Sequence, residues 1–74
     1  MADNHLLSVD WFFDASAEEP LYELRCTDPE FEALRVSIPA SSVTERAARA
    51  KLIEAAFQKA RDMGLDETRL RFHV

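Results

Sequence analysis

The stretch SVTERAARAKLIEAAFQKARDMGL, residues 42–65, decides the fold. It holds no proline and no glycine before position 64, and Ala, Lys, Arg, Glu and Leu, the strongest helix formers, fill most of it. Ser42 followed three residues later by Glu45 matches a capping box, in which a serine hydroxyl and a carboxylate satisfy each other's orphan amides. Leu52, Ile53, Ala56, Phe57, Ala60 and Met63 fall on one stripe, and Lys51, Glu54, Gln58, Arg61 and Asp62 lie around the back. Gly64 is the only glycine in the chain and stands where a left-handed helix stop belongs, with Leu65 placed to pack back on the last turn. One long amphipathic helix, ending at Met63, follows from these spacings.

Upstream of the helix the period changes from 3.6 to 2. Leu7, Val9, Trp11 and Phe13 alternate with Ser8, Asp10, Phe12 and Asp14, the pattern of a strand with one wet face. Phe12 interrupts the polar set, so it is expected exposed or covered by a partner. Residues 15–20 form an acidic loop closed by Pro20. Tyr22, Leu24 and Cys26 then alternate with Glu23, Arg25 and Thr27, and Asp28-Pro29-Glu30 supplies turn chemistry. A third strand is expected over residues 31–38, with Leu34, Val36 and Ile38 inward and Ala33, Arg35 and Ser37 outward; Pro39 ends it. Short connections favour an antiparallel meander. After the helix, a tight turn at Asp66 and Glu67 leads to alternation over residues 69–74, a last strand parallel to the first and third and neighbouring one of them. The expected fold is therefore a single α+β domain over residues 1–74, β-β-β-α-β. It is a three-stranded antiparallel meander plus a C-terminal strand, with the helix packed on one face and residues 1–5 disordered.

At 74 residues there is room for one small core, which rarely supplies more than about 3–5 kcal/mol of net stability. The net charge of −5 is unevenly spread: residues 1–43 carry nine acids against Arg25 and Arg35, a balance of −7, whereas residues 44–64 are +2. An acidic half repels phosphate, which disfavours nucleic-acid binding through it. Cys26 is the lone cysteine, so an internal disulfide and a cysteine metal cluster are both excluded, as befits a reducing cytoplasm. No signal peptide is read at the N-terminus, and no run approaches the ~20 apolar residues that span a bilayer. A soluble, cytoplasmic protein with no membrane association is expected.

Candidate chemistry is sparse. His5 and His73 lack an evident orienting partner, Cys26 falls on an inward strand face whereas an activated thiol needs an electropositive, partly exposed setting, and the capping role accounts for Ser42. Asp28, Glu30 and Glu32 lack the oxygen ladder and glycine of a calcium loop, and one glycine builds no phosphate cradle. Neither an enzyme nor a cofactor or metal is expected. Arg46, Arg49, Lys51, Lys59 and Arg61 on the helix are interleaved with three acids, and Glu45 with Arg49 is an i,i+4 pair, so a solvated surface explains them; nucleic-acid binding through this helix is the third-ranked reading.

The remaining asymmetry is the acidic half. Asp10, Phe12, Asp14, Glu18, Glu19, Glu23, Asp28, Glu30 and Glu32 come from two adjacent strands and their loops, and Asp10, Asp14 and Glu23 are expected on one outer sheet face around Phe12. Plain solubility is the bland account of these acids. As a site, they would form a docking surface for a basic partner, with charge steering encounter and Phe12 as anchor. In general character, a compact acidic domain without catalytic machinery, the chain resembles the small proteins that phages encode against bacterial defences, anti-CRISPR proteins among them. That resemblance implies a non-enzymatic inhibitor of a nucleic-acid-binding complex, working in some cases as a nucleic-acid mimic, and it attaches to no particular residue. The alternative is a structural or accessory subunit that self-associates through an open sheet edge or the Phe12 face, so monomer and homodimer are both in play.

Overall fold

The computed structural model describes residues 6–16 and 18–74. The expected disorder of residues 1–5, and His5 with it, lies outside the described residues. Strand β1 (Leu7–Asp14) and β2 (Leu21–Cys26) form an antiparallel hairpin, and β3 (Arg35–Pro39) pairs antiparallel with β2. Helix α1 (Glu45–Asp62) reverses the chain, and β4 (Leu70–His73) returns parallel to β1. The result is a small α+β domain with one helix and a four-stranded mixed sheet in the order β3-β2-β1-β4. The meander thus gains its fourth strand beside β1.

The core lies between α1 and one face of the sheet. Leu7, Val9, Leu24, Cys26, Leu34 and Leu70 meet Leu52, Ala56 and Ala60 of the helix, all buried. Ala48, Leu52, Ala56 and Ala60 recur every four residues, so the helix turns three alanines and a leucine to the sheet and packs against β2 and β3. Phe57 reaches toward β4, where its ring meets Phe72 edge-on at 5.1 Å. Phe13 shares the core-facing parity of β1 yet is 54% exposed, because it stands where neither the helix nor β4 covers the sheet. Its ring leans on Tyr22 at 5.3 Å, and Tyr22 in turn stacks on Trp11 at 5.1 Å.

Two boundaries differ from expectation for identifiable reasons. The third strand begins at Arg35, not Phe31, because Asp28 caps a 3-10 turn over Pro29–Phe31: its side chain accepts from the Glu30 N–H at 2.9 Å. Pro at the first position of that turn forfeits no needed N–H. Leu34 remains buried just ahead of the strand, its carbonyl accepting from Cys26 N–H at 2.9 Å. The helix is capped by Thr44, whose hydroxyl accepts from Ala47 N–H at 3.1 Å, and not by Ser42. A 3-10 turn over Ala40–Ser42 draws Ser42 Oγ onto the Pro39 carbonyl at 3.0 Å, so the capping box does not form. The helix stop is as expected: Gly64 has φ +78°, Leu65 N–H donates to Ala60 C=O at 2.8 Å and Gly64 N–H to Arg61 C=O at 3.0 Å, the paired bonds of a Schellman motif.

Candidate functional site

The pairing register fixes what shares the outer sheet face. Asp10 sits level with Arg25 and Arg35 on one side and His73 on the other, Phe12 is level with Glu23 and Ser37, and Asp14 with Leu21 and Pro39. Asp10, Phe12, Asp14 and Glu23 therefore do share this face. It is not predominantly acidic, because Arg25, Arg35 and Arg71 stand on it too.

Glu23 does not stand free on this face as expected. It is only 8% exposed, with Arg25 Nε paired to one carboxylate oxygen at 3.1 Å and Arg35 Nη2 donating to the other at 3.1 Å. A nearly buried carboxylate held between two guanidinium groups has its charge neutralised in place and is not a docking charge. Arg25 also lies 4.0 Å from the centre of the Phe12 ring, so the aromatic expected exposed or covered by a partner is half-covered by its own neighbour on β2.

The hairpin then divides the remaining acids between two ends of the sheet. Asp14, Glu18 and Glu19 lie where β1 gives way to β2, whereas Asp28, Glu30 and Glu32 lie past the other end of β2. Six residues of strand separate the groups, roughly 17 Å at about 3.3 Å per residue. At the first end Glu18 and Glu19 are exposed, Glu19 accepts from Ser41 Oγ at 3.0 Å, and Asp14 accepts from Ser16 N–H and Oγ at 2.9 and 2.7 Å. At the second end Asp28 is engaged as a cap, and Glu30 and Glu32 are exposed.

The first end carries apolar residues that patterning alone assigned to the core. Phe13, 54% exposed, faces the helix side there, and Val74, 50% exposed, follows the β4 residue level with Asp10. Trp11 beneath them is half-buried, with the Arg49 guanidinium 5.5 Å from its ring centre. The signal in the sequence was the unbroken run Trp11-Phe12-Phe13, which puts aromatics on both faces of one strand end. Arg49 pairs with Glu45 at 3.6 Å, as its spacing suggested, while its Nε is buried with no hydrogen-bond partner among the described residues.

Other candidates resolve simply. Cys26 is buried, His73 is exposed on the outer face, and no group of three or more His, Cys, Asp or Glu among the described residues is arranged to hold a metal. Of the basic helix residues, Arg49 is paired as above, and Arg61 donates through Nε and Nη2 to Glu67 at 3.2 and 3.0 Å. A shallow depression of about 450 Å³ on the outer side of α1 is lined by Lys51, Glu54, Ala55, Phe57, Gln58 and Arg61, all from that one helix. Asp66 caps the turn into β4, and its carboxyl is held below the usual aspartate value, first by the Thr68 hydroxyl, which donates at 2.7 Å, then by the Thr68 N–H at 3.0 Å and the charge of Arg69. No described helix is long and apolar enough to cross a membrane. No protein-family model, curated protein or solved structure matches this chain.

Proposed function

We propose that this protein is a non-enzymatic binding module that docks a basic protein surface at the β1–β2 end of its sheet and thereby inhibits or regulates a nucleic-acid-handling partner. The observation that carries the reading is the grouping at one sheet end of an exposed aromatic, Phe13, a half-covered one, Phe12, and the acids Asp14, Glu18 and Glu19. Aromatic anchors lose water on docking, and the acids around them steer and select a partner of opposite charge. A protein that ordinarily grips nucleic acid presents such a basic surface. The general resemblance to phage-encoded anti-defence proteins points the same way. The reading places the protein in the cytoplasm, where the lone buried thiol of Cys26 stays reduced.

The two acidic ends supply the control. Glu18→Lys/Glu19→Lys and Glu30→Lys/Glu32→Lys reverse the same charge at opposite ends, all at exposed positions. In pull-downs from nuclease-treated extract of the source cell, a basic nucleic-acid-binding protein should be retained by the wild type and the second variant and lost by the first. Equal retention, or equal loss, by both variants contradicts the assignment.

A further inference from the structure

Strand β1 runs from Leu7 to Asp14, but β4 pairs with it only from Leu7 to Asp10. The far half of β1 is therefore an interior strand on the β2 side and an edge on the other. Ser8 C=O accepts from Thr27 N–H at 3.1 Å, which turns the Ser8 backbone toward β2. Alternation along an antiparallel pair then turns Asp10, Phe12 and Asp14 the same way, and Val9, Trp11 and Phe13 toward the β4 side. Past the end of β4, the Phe13 N–H and C=O face outward, and no loop backbone group among the described residues is bonded to them. Two of the three large apolar residues exposed among the described residues, Phe13 and Val74, flank this spot.

Sheet edges are normally blunted by proline, by basic side chains or by brevity. The β3 edge shows these devices, with five residues that include Arg35 and Pro39. The segment Trp11–Asp14 has no proline or basic residue and carries three successive aromatics. Resting on the binding-module reading above, we propose that this open half of β1 receives an extended segment of the partner protein as an added strand. That segment alternates apolar residues, which meet Phe13 and Val74 on the helix side, with basic residues beside Phe12 and Asp14 on the outer face.

Charge and sterics disfavour a second copy of the chain in the register centred on Phe12, which overlaps the most strand. A two-fold antiparallel pairing centred on Phe12 would set Trp11 against Phe13 and Asp10 against Asp14, and like charges directly opposite are destabilising. It would also direct Asp14 of one copy into the space beside Asp10 that the other copy's β4 already fills. A basic alternating segment meets neither obstacle, and the nearby Glu18 and Glu19 favour it further.

The test uses the full chain and the synthetic peptide acetyl-Lys-Val-Lys-Val-Lys-amide, with two analogues N-methylated at both valines or at all lysines. Alternate residues of an added strand bond to the edge, so one analogue blocks pairing in either strand direction. At millimolar peptide, the Phe13 amide resonance should shift, and one of the two analogues should bind about tenfold more weakly or worse. No shift at Phe13 overturns the proposal. Binding by both analogues as tight as the parent, yet weakened by Glu18→Lys/Glu19→Lys, overturns strand addition while leaving the acidic docking end intact. Concentration-dependent Phe13 shifts in the free protein, with a dimer on sedimentation, would give the edge to a second copy and overturn the proposal as well.

Discussion

Glu23 carries the tightest electrostatic arrangement on the outer face. Its side chain is 11% exposed, but the arginines clamping it are 44% and 61% exposed, so solvent screens much of the attraction. Glu23→Ala is therefore expected to cost about 1 kcal/mol in urea unfolding. Glu23→Lys should cost more, because it sets a third cation between two others. Both variants should also free Arg25 from its position over Phe12. Asp66 makes a pH prediction at the same scale. Its folded pKa is depressed, so the support it gives the turn is present above the unfolded value and is lost as pH falls through the folded one. The Thr68 amide resonance should move in that acid range in the wild type and stay still in Asp66→Asn. A Thr68 resonance that titrates equally in both would reject the assignment.

Among the elements, α1 was legible because its signals are local: composition, a stripe at helical spacing, and one glycine at the stop. Its start is less legible, because two hydroxyl residues, Ser42 and Thr44, compete within three positions, and only the 3-10 turn after Pro39 decides between them. The stability consequences separate the two. Thr44→Ala should cost about 1 kcal/mol, and Ser42→Ala, which loses one exposed hydrogen bond, less than about 0.5 kcal/mol. Gly64→Ala should cost about 1 kcal/mol through its φ of +78° alone, since a Cβ there meets nothing within 4 Å. Chemical denaturation of the three variants checks the order; a larger loss for Ser42→Ala than for Thr44→Ala would restore the capping box. The third strand starts later than its alternation implies for a related reason: the pattern at Leu34, Val36 and Ile38 runs on backward past the point where Asp28 winds the chain into a turn.

Across the whole molecule, what the sequence concealed was placement. Alternation assigns each residue a face, so Asp10, Phe12, Asp14 and Glu23 were rightly put together on the outer one. It does not say which residues on neighbouring strands fall alongside, and Arg25 and Arg35 reach Glu23 only through the register of β2 and β3. Nor does charge counting along the chain reveal that a hairpin sends its loops to opposite ends, which separates Asp28, Glu30 and Glu32 from Glu18 and Glu19. The position of β4 beside β1, and its stopping level with Asp10, are non-local facts of the same kind. They leave Phe13 uncovered on a strand whose parity marked it for the core.

The central claim is that β1 changes character halfway along, from interior strand to open edge. Amide hydrogen exchange on the free, full-length protein reads this directly, because Val9 and Phe13 point their backbones to the same side of one strand. The account predicts strong protection at Val9 and exchange at Phe13 faster by at least about a hundredfold, a gap of roughly 2.7 kcal/mol in local opening. Equal protection at the two positions would mean that the edge is already filled, and would contradict it.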